Sequence, residues 1–219
     1  MNRELQDIRF TALLIIGHTG SGKTPLGEIC ETRGLWGKRC AHFDFGAMLR
    51  NIAAMEYTPN FLTGEDMDVI RNVLSLGALL EDEQFHIAEN ILRAFISNKG
   101  LEANDMLVLN GLPRHEGQAQ QMETIVDVKT VVHLVCSPEV VFKRIHHNSG
   151  GDRTGRTDDT LDDIRLKLEQ FEERTVPLLD YYRNKKTVIE EFEVLADTTP
   201  EEMYEWVGRN VNYRAKLIG

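Results

Sequence analysis

The 219 residues suffice for one substantial core with small insertions, and 35 acidic against 25 basic side chains give a formal charge of −10 that argues against nucleic acid or an anionic membrane as the main partner. No apolar run approaches the roughly 20 residues of a membrane span, and the charged start Met1-Asn2-Arg3-Glu4 is not expected to act as a cleaved leader. Cys30, Cys40 and Cys136 are odd in number and lack Cys-x-x-Cys spacing, so idle thiols in a reducing, cytoplasmic setting are expected.

In chain order, Leu13-Leu14-Ile15-Ile16 predicts a buried strand over about 9–16. It feeds Gly17-His18-Thr19-Gly20-Ser21-Gly22-Lys23-Thr24, which fits the phosphate-loop pattern Gly-x-x-x-x-Gly-Lys-[Ser/Thr]. Backbone N–H groups must approach a phosphate closely, which side chains at Gly17, Gly20 and Gly22 would obstruct. Thr19 and Ser21 lie on the same loop, the following helix N-terminus attracts anions, Lys23 supplies a mobile charge and Thr24 a hydroxyl for Mg²⁺. That helix is expected over about 22–33, with Pro25 in its first turn and Gly34 ending it.

A short second strand is expected at 39–43, then an insertion of helical fragments at 45–80, broken by Pro59 and Gly64. Apolar spacing predicts a helix over 82–97, and Met106-Leu107-Val108-Leu109 a second buried strand, followed by a helix through about Thr124. Thr130 to Cys136 reads as the next strand, Pro138 to His147 as a helix, and the stretch 147–157, rich in glycine and arginine, as an exposed loop. Thr157 or Asp158 should cap a long helix with Leu161, Ile164, Leu168, Phe171, Val176, Leu179 and Tyr182 on one stripe, kinked at Pro177. A last strand at 188–196 and a helix from Thr199-Pro200 close the chain. His146 and His147 do not suggest a metal site, because adjacent side chains on a helix point apart.

Four ordered motifs carry a family resemblance over nearly the whole chain: the phosphate loop; Phe45-Gly46-Ala47-Met48-Leu49-Arg50; Asn110-Gly111-Leu112-Pro113-Arg114 with Gln118; and Gly155-Arg156-Thr157-Asp158-Asp159. Together the chain resembles the nucleoside monophosphate kinases, the family of adenylate kinase and UMP-CMP kinase. The resemblance implies a P-loop α/β fold with a five-stranded parallel sheet, a core of 1–44, 81–146 and 158–219, an acceptor-binding insertion at 45–80 and a short lid at 147–157. It implies ATP and Mg²⁺ as cofactors, small nucleotides as partners, and a monomer or weak oligomer. By position, Arg50 and Arg114 would hold the acceptor phosphate beside Phe45, Gly46 and Gly111, Gln118 would read the acceptor base, and Arg144 would stack on the donor base. Arg153 and Arg156 would close over the transferring phosphoryl group, and Lys167 stands where the family usually has a third cleft arginine.

The chain also departs from the pattern. Asn110 replaces an aspartate that organises water on Mg²⁺, so a formal charge beside the metal is expected to be missing and position 110 to act only through an amide. Phe45 replaces a threonine and Ala47 an aspartate in the acceptor motif, which points away from AMP as the preferred acceptor. Kinases of another small metabolite and non-catalytic nucleotide-binding modules would share the phosphate loop; the latter is supported by Asn110 and opposed by Lys23, Thr24, Arg153 and Arg156.

Overall fold

Five apolar runs become parallel strands in a computed structural model that describes residues 9–154 and 160–210. They are β1 (Phe10–Gly17), β2 (Cys40–Asp44), β3 (Met106–Asn110), β4 (Val126–Val135) and β5 (Val188–Glu193), in the order β2-β3-β1-β4-β5. Strands buried on both faces need apolar residues at consecutive positions, as β1 and β3 have. Alternation then divides β1: Ala12, Leu14 and Ile16 pack with one set of helices, Leu13 and Ile15 with the other.

The first face is covered by α2 (Phe45–Ala53), α3 (Gly64–Leu76), α4 (Phe85–Lys99), α5 (Glu116–Met122) and α8 (Pro177–Asn184). The second is covered by α1 (Lys23–Arg33), α6 (Pro138–His147) and α9 (Pro200–Asn210), with Ile164 of α7 (Leu161–Gln170) joining it. Leu49, Ile52, Met67 and Ile70 of the 45–80 segment belong to the same apolar cluster as the sheet, so this insertion shares the main core.

Three expectations need correction. β4 begins at Val126, not Thr130, because the polar residues Asp127 and Lys129 pair with each other at 2.6 Å and the strand bulges between the residues facing Ala12 and Leu13. β5 ends at Glu193. The long helix is divided: Thr160 caps α7 in a reciprocal box with Asp163, Leu161 is exposed, and a π-helical turn over Phe171–Thr175 precedes Pro177. Val176 N–H bonds the Phe171 carbonyl at 2.8 Å, so the turn takes up an extra residue before proline starts α8 without an N–H. Thr157 and Asp158, the expected caps, lie outside the described residues.

Candidate active site

The phosphate loop joins β1 to α1 at the carboxyl ends of the central strands, where open α/β sheets bind ligands. Its glycines are required from the protein side as well as by any phosphate. Gly22 has φ 99°, and a Cβ there would lie 2.7 Å from the Met203 methyl; at Gly17 it would lie 2.9 Å from the Leu134 carbonyl oxygen. The Lys23 ammonium donates to the carbonyls of Gly17 at 2.8 Å and His18 at 2.7 Å. Burial first, then the nearby Arg114 and Arg153 cations, push Lys23 down to about 7, against the opposing pull of Asp44 and Asp152. Three cations therefore converge on one small volume.

His18 is a packing residue of the loop. Its ring lies 4.1 Å from that of Phe171 in the π-helical turn, its Nε2 is 3.3 Å from Glu172, and burial, with Lys23 and His133 adding to it, pushes its pKa down to about 4. It is neutral at physiological pH.

Beside the loop, Thr24 Oγ1 donates to Asp44 Oδ2 at 2.6 Å, and Asn110 Nδ2 donates to the same oxygen at 2.9 Å and to Thr24 at 3.1 Å. The other Asp44 oxygen accepts the Ala47 N–H at 2.8 Å and caps α2. Asp44, the last residue of β2, was not singled out in the sequence because the strand was expected to end one residue earlier. It overturns the expectation that no charge stands beside position 110. Hydroxyl and carboxylate oxygens are the hard donors Mg²⁺ takes, and this set fits it. Among the described residues no cluster of three or more His, Cys, Asp or Glu could hold a metal ion.

Across the cleft, Phe45, Gly46, Arg50, Gly111, Arg114 and Gln118 line the same cavity as the phosphate loop. Among the described residues neither Arg50 nor Arg114 has a carboxylate partner, and burial lowers the Arg114 pKa. Phe45 is buried, its ring stacked on Phe43 at 5.9 Å, so it belongs to the core while its backbone turns into the cleft. Gln118 is buried with its amide oxygen on the Arg114 N–H and its amide nitrogen on the Leu80 carbonyl, both at 2.8 Å. Its amide braces the arginine loop against the 77–80 segment through one N–H and one oxygen lone pair.

Beyond α6, Arg153 reaches back to the phosphate loop, donating to Thr19 Oγ1 at 3.0 Å. Asn148 positions it: in the left-handed conformation at the end of α6, its Oδ1 accepts the Arg153 N–H at 3.0 Å and its Nδ2 donates to Thr154 at 3.2 Å. An asparagine just beyond a basic last helical turn was a legible signal for this. Lys167 lines the same cleft. Arg156, with Gly155, Thr157, Asp158 and Asp159, lies outside the described residues.

Arg144 is the clearest correction to the roles implied by resemblance. It is 2 % exposed, with Nε donating to the Gly20 carbonyl at 3.0 Å and Nη1 to those of Leu195 at 2.9 Å and Thr198 at 2.8 Å. A guanidinium committed to three carbonyls inside the protein is a brace for the loop, with no face presented for base stacking.

Comparison with known proteins agrees with this geometry. Residues 15–187 match the sequence profile of the family described as adenylate kinase. The chain is 30% identical over 200 residues to an adenylate kinase of Synechococcus sp. (strain CC9902), covering 88% of this chain and 94% of that one. It is 26% identical over 196 residues to the uridylate kinase of Saccharomyces cerevisiae (strain ATCC 204508 / S288c), covering 89% and 87%. A solved gluconokinase from Sinorhizobium meliloti 1021 superposes with a TM-score of 0.54 at 19% identity, covering 96% of this chain and 97% of that one, a likeness of fold alone. With its phosphate loop, five-stranded parallel sheet and family match over most of its length, the chain belongs to the adenylate kinase family, and with it to the nucleoside monophosphate kinases.

Proposed function

We propose that this chain transfers the terminal phosphoryl group of ATP to a nucleoside monophosphate bound against Arg50 and Arg114. The observation that carries this reading is the single cleft in which a phosphate loop faces two arginines with no carboxylate partner among the described residues. Two anion sites opposed across one cavity suit a donor polyphosphate and an acceptor phosphate.

In this reading the segments 45–80 and 147–157 serve as acceptor-binding insertion and lid. The loop N–H groups and Lys23 cradle the donor phosphates, and bringing a phosphate to Lys23 restores its proton. Arg50 and Arg114 orient the acceptor so that its phosphate oxygen attacks in line and ADP leaves with the broken P–O bond. Arg153, already drawn to Thr19, would neutralise charge on the equatorial oxygens, with Arg156 and Lys167 completing that clamp as the resemblance implies. Mg²⁺, when bound with the nucleotide, neutralises phosphate charge as a Lewis acid; Thr24 and Asp44 are the residues that would hold it, with Asn110 donating to both. Phe45 and Ala47 stand in the acceptor motif in place of hydroxyl and carboxylate, and of the two Phe45 lines the cleft, which supports a preference for a monophosphate other than AMP. The buried free thiols Cys30, Cys40 and Cys136 suit a reducing cytoplasm.

An ADP-release assay with Mg·ATP and a panel of AMP, UMP, CMP, dCMP and GMP, with gluconate as a non-nucleotide arm, tests the reading. A monophosphate should give turnover well above ATP hydrolysis alone. Turnover on gluconate only, or on nothing, would overturn it.

A further inference from the structure

The corner where Thr24, Asp44 and Asn110 meet is built around the Asp44 carboxylate. Asp44 and Asn110 are Cα partners in the adjacent parallel strands β2 and β3, so they lie side by side at the same level of the sheet, about 4.8 Å apart. A carboxylate moved from the end of β3 to the end of β2 shifts by one strand spacing and stays beside the Thr24 hydroxyl. We propose that Asp44 is the carboxylate that holds nucleotide-bound Mg²⁺, directly or through its water, and that Asn110 is its neutral complement, a positioning residue that fixes the carboxylate by donating to it. The inference rests on the nucleotide-kinase reading above.

The details favour a transposition over a simple loss. Both oxygens of Asp44 are fixed in direction, Oδ1 by the Ala47 N–H at the start of α2 and Oδ2 by Thr24 and Asn110. Among the described residues no lysine or arginine forms an ion pair with it, so its charge is not already spent on a protein cation. An aspartate at position 110 as well would set two carboxylates within hydrogen-bonding distance, and like charges that close cannot both ionise freely. Asn110, with an N–H₂ aimed at Asp44 Oδ2 at 2.9 Å, removes that repulsion and supplies a donor. An aspartate on β2 and an asparagine on β3 therefore make sense as a pair, and neither makes as much sense alone.

The test is a magnesium titration of the melting temperature at saturating ADP, a binding readout independent of turnover, on the wild type, Asp44→Asn, Asn110→Asp and the double swap. Asparagine is also a good N-cap, so Asp44→Asn keeps α2 capped, while its N–H₂ replaces the oxygen that accepts from Thr24 and Asn110 and is met once the Asn110 amide turns its own oxygen toward it. Asp44→Asn should raise the half-saturating Mg²⁺ by about tenfold while leaving stabilisation by ADP without metal unchanged, as expected when a charged partner gives way to a neutral one. Asn110→Asp should melt lower than wild type without metal and regain the difference as Mg²⁺ is added; the double swap should return the Mg²⁺ requirement to within about threefold of wild type. The Mg²⁺ affinity of each protein, read separately by displacement of Mn²⁺ from its EPR signal, should rank the same way. An unchanged Mg²⁺ requirement in Asp44→Asn, or equal loss of metal-free and metal-bound ADP stabilisation, would overturn the assignment; so would an Asn110→Asp protein that melts like wild type without metal, even if Asp44→Asn failed to fold. A wild type with no Mg²⁺-dependent stabilisation by any nucleotide would instead bring down the kinase reading on which the assignment stands.

Discussion

The two walls of the cleft solve opposite problems. On the wall proposed for the donor the main polar side chains already have protein partners: Lys23 on loop carbonyls, Thr24 and Asn110 on Asp44, Arg153 on Thr19, Arg144 on Gly20. On the acceptor wall Arg50 and Arg114 have no carboxylate partner among the described residues, and the surroundings are apolar, with Leu49, Val73 and Leu80 lining the cavity. A prearranged network costs little reorganisation when a polyphosphate arrives, whereas half-buried guanidinium groups without a carboxylate partner gain most from an anion. The donor wall should therefore govern rate, and the acceptor wall affinity.

The largest expected effect tests the donor wall. Lys23→Ala should lower kcat by about 10³-fold or more, as for loss of a transition-state donor in a dry site, while the cooperative melting transition survives because the side chain is not part of the core. Loss of cooperativity together with activity would place Lys23 in the structure and not in the chemistry. On the other wall, Arg114→Ala should raise the acceptor KM by about 10²-fold, the equivalent of two charged hydrogen bonds, while donor affinity stays near wild type. A loss of donor affinity of the same size would erase the distinction between the walls.

Arg144→Met sharpens the comparison from behind the loop. It strips the donors from three carbonyls, that of Thr198 buried and those of Gly20 and Leu195 partly so, and should destabilise the fold by about 3 kcal/mol in denaturant titration, with nucleotide affinity falling for every base alike. A loss confined to adenine nucleotides, with stability intact, would restore a base-stacking role.

The smallest effect is a proton. The Lys23 pKa lies at about 7 in the free protein against an ordinary 10.5, so at pH 8 the amine is mostly neutral and must be protonated to meet a phosphate. Nucleotide binding at pH 8 should take up close to one proton, measured by calorimetry in two buffers of different ionisation enthalpy, and affinity should fall as pH rises above about 7. The sign for the unliganded protein is opposite: between about 7 and 10.5 the unfolded chain binds the extra proton, so stability rises with pH through that window. No proton uptake at pH 8 would mean that Lys23 is already charged before phosphate arrives.

Much of this arrangement was legible in the sequence because it depends on local rules. The run Leu13-Leu14-Ile15-Ile16 followed by three spaced glycines and Lys23-Thr24 gave β1, the loop and α1, and Met106 to Leu109 gave β3. What was not legible came from long-range packing. The bracing role of Arg144 was hidden because its partners, Gly20 and the 195–198 carbonyls, are remote in the chain and nothing local reveals their approach. Asp44, one residue past the expected strand, drew no notice because its meaning depends on Asn110, its lateral neighbour in the sheet. The start of β4 was hidden by Asp127 and Lys129, whose polarity mimics a loop where the strand bulges.

Helix α9 touches both ends of α1: the Met203 methyl fills the space where a side chain on Gly22 would sit, and the Tyr204 hydroxyl bonds the Gly34 carbonyl at 2.8 Å. The turn just before it supplies the carbonyls that hold Arg144, and through Arg144 the Gly20 carbonyl. During synthesis the phosphate loop thus leaves the ribosome well before the groups that set its shape. Nascent chains lacking α9 would carry the motif without its grip, and nucleotide can stabilise the loop only after α9 has been made.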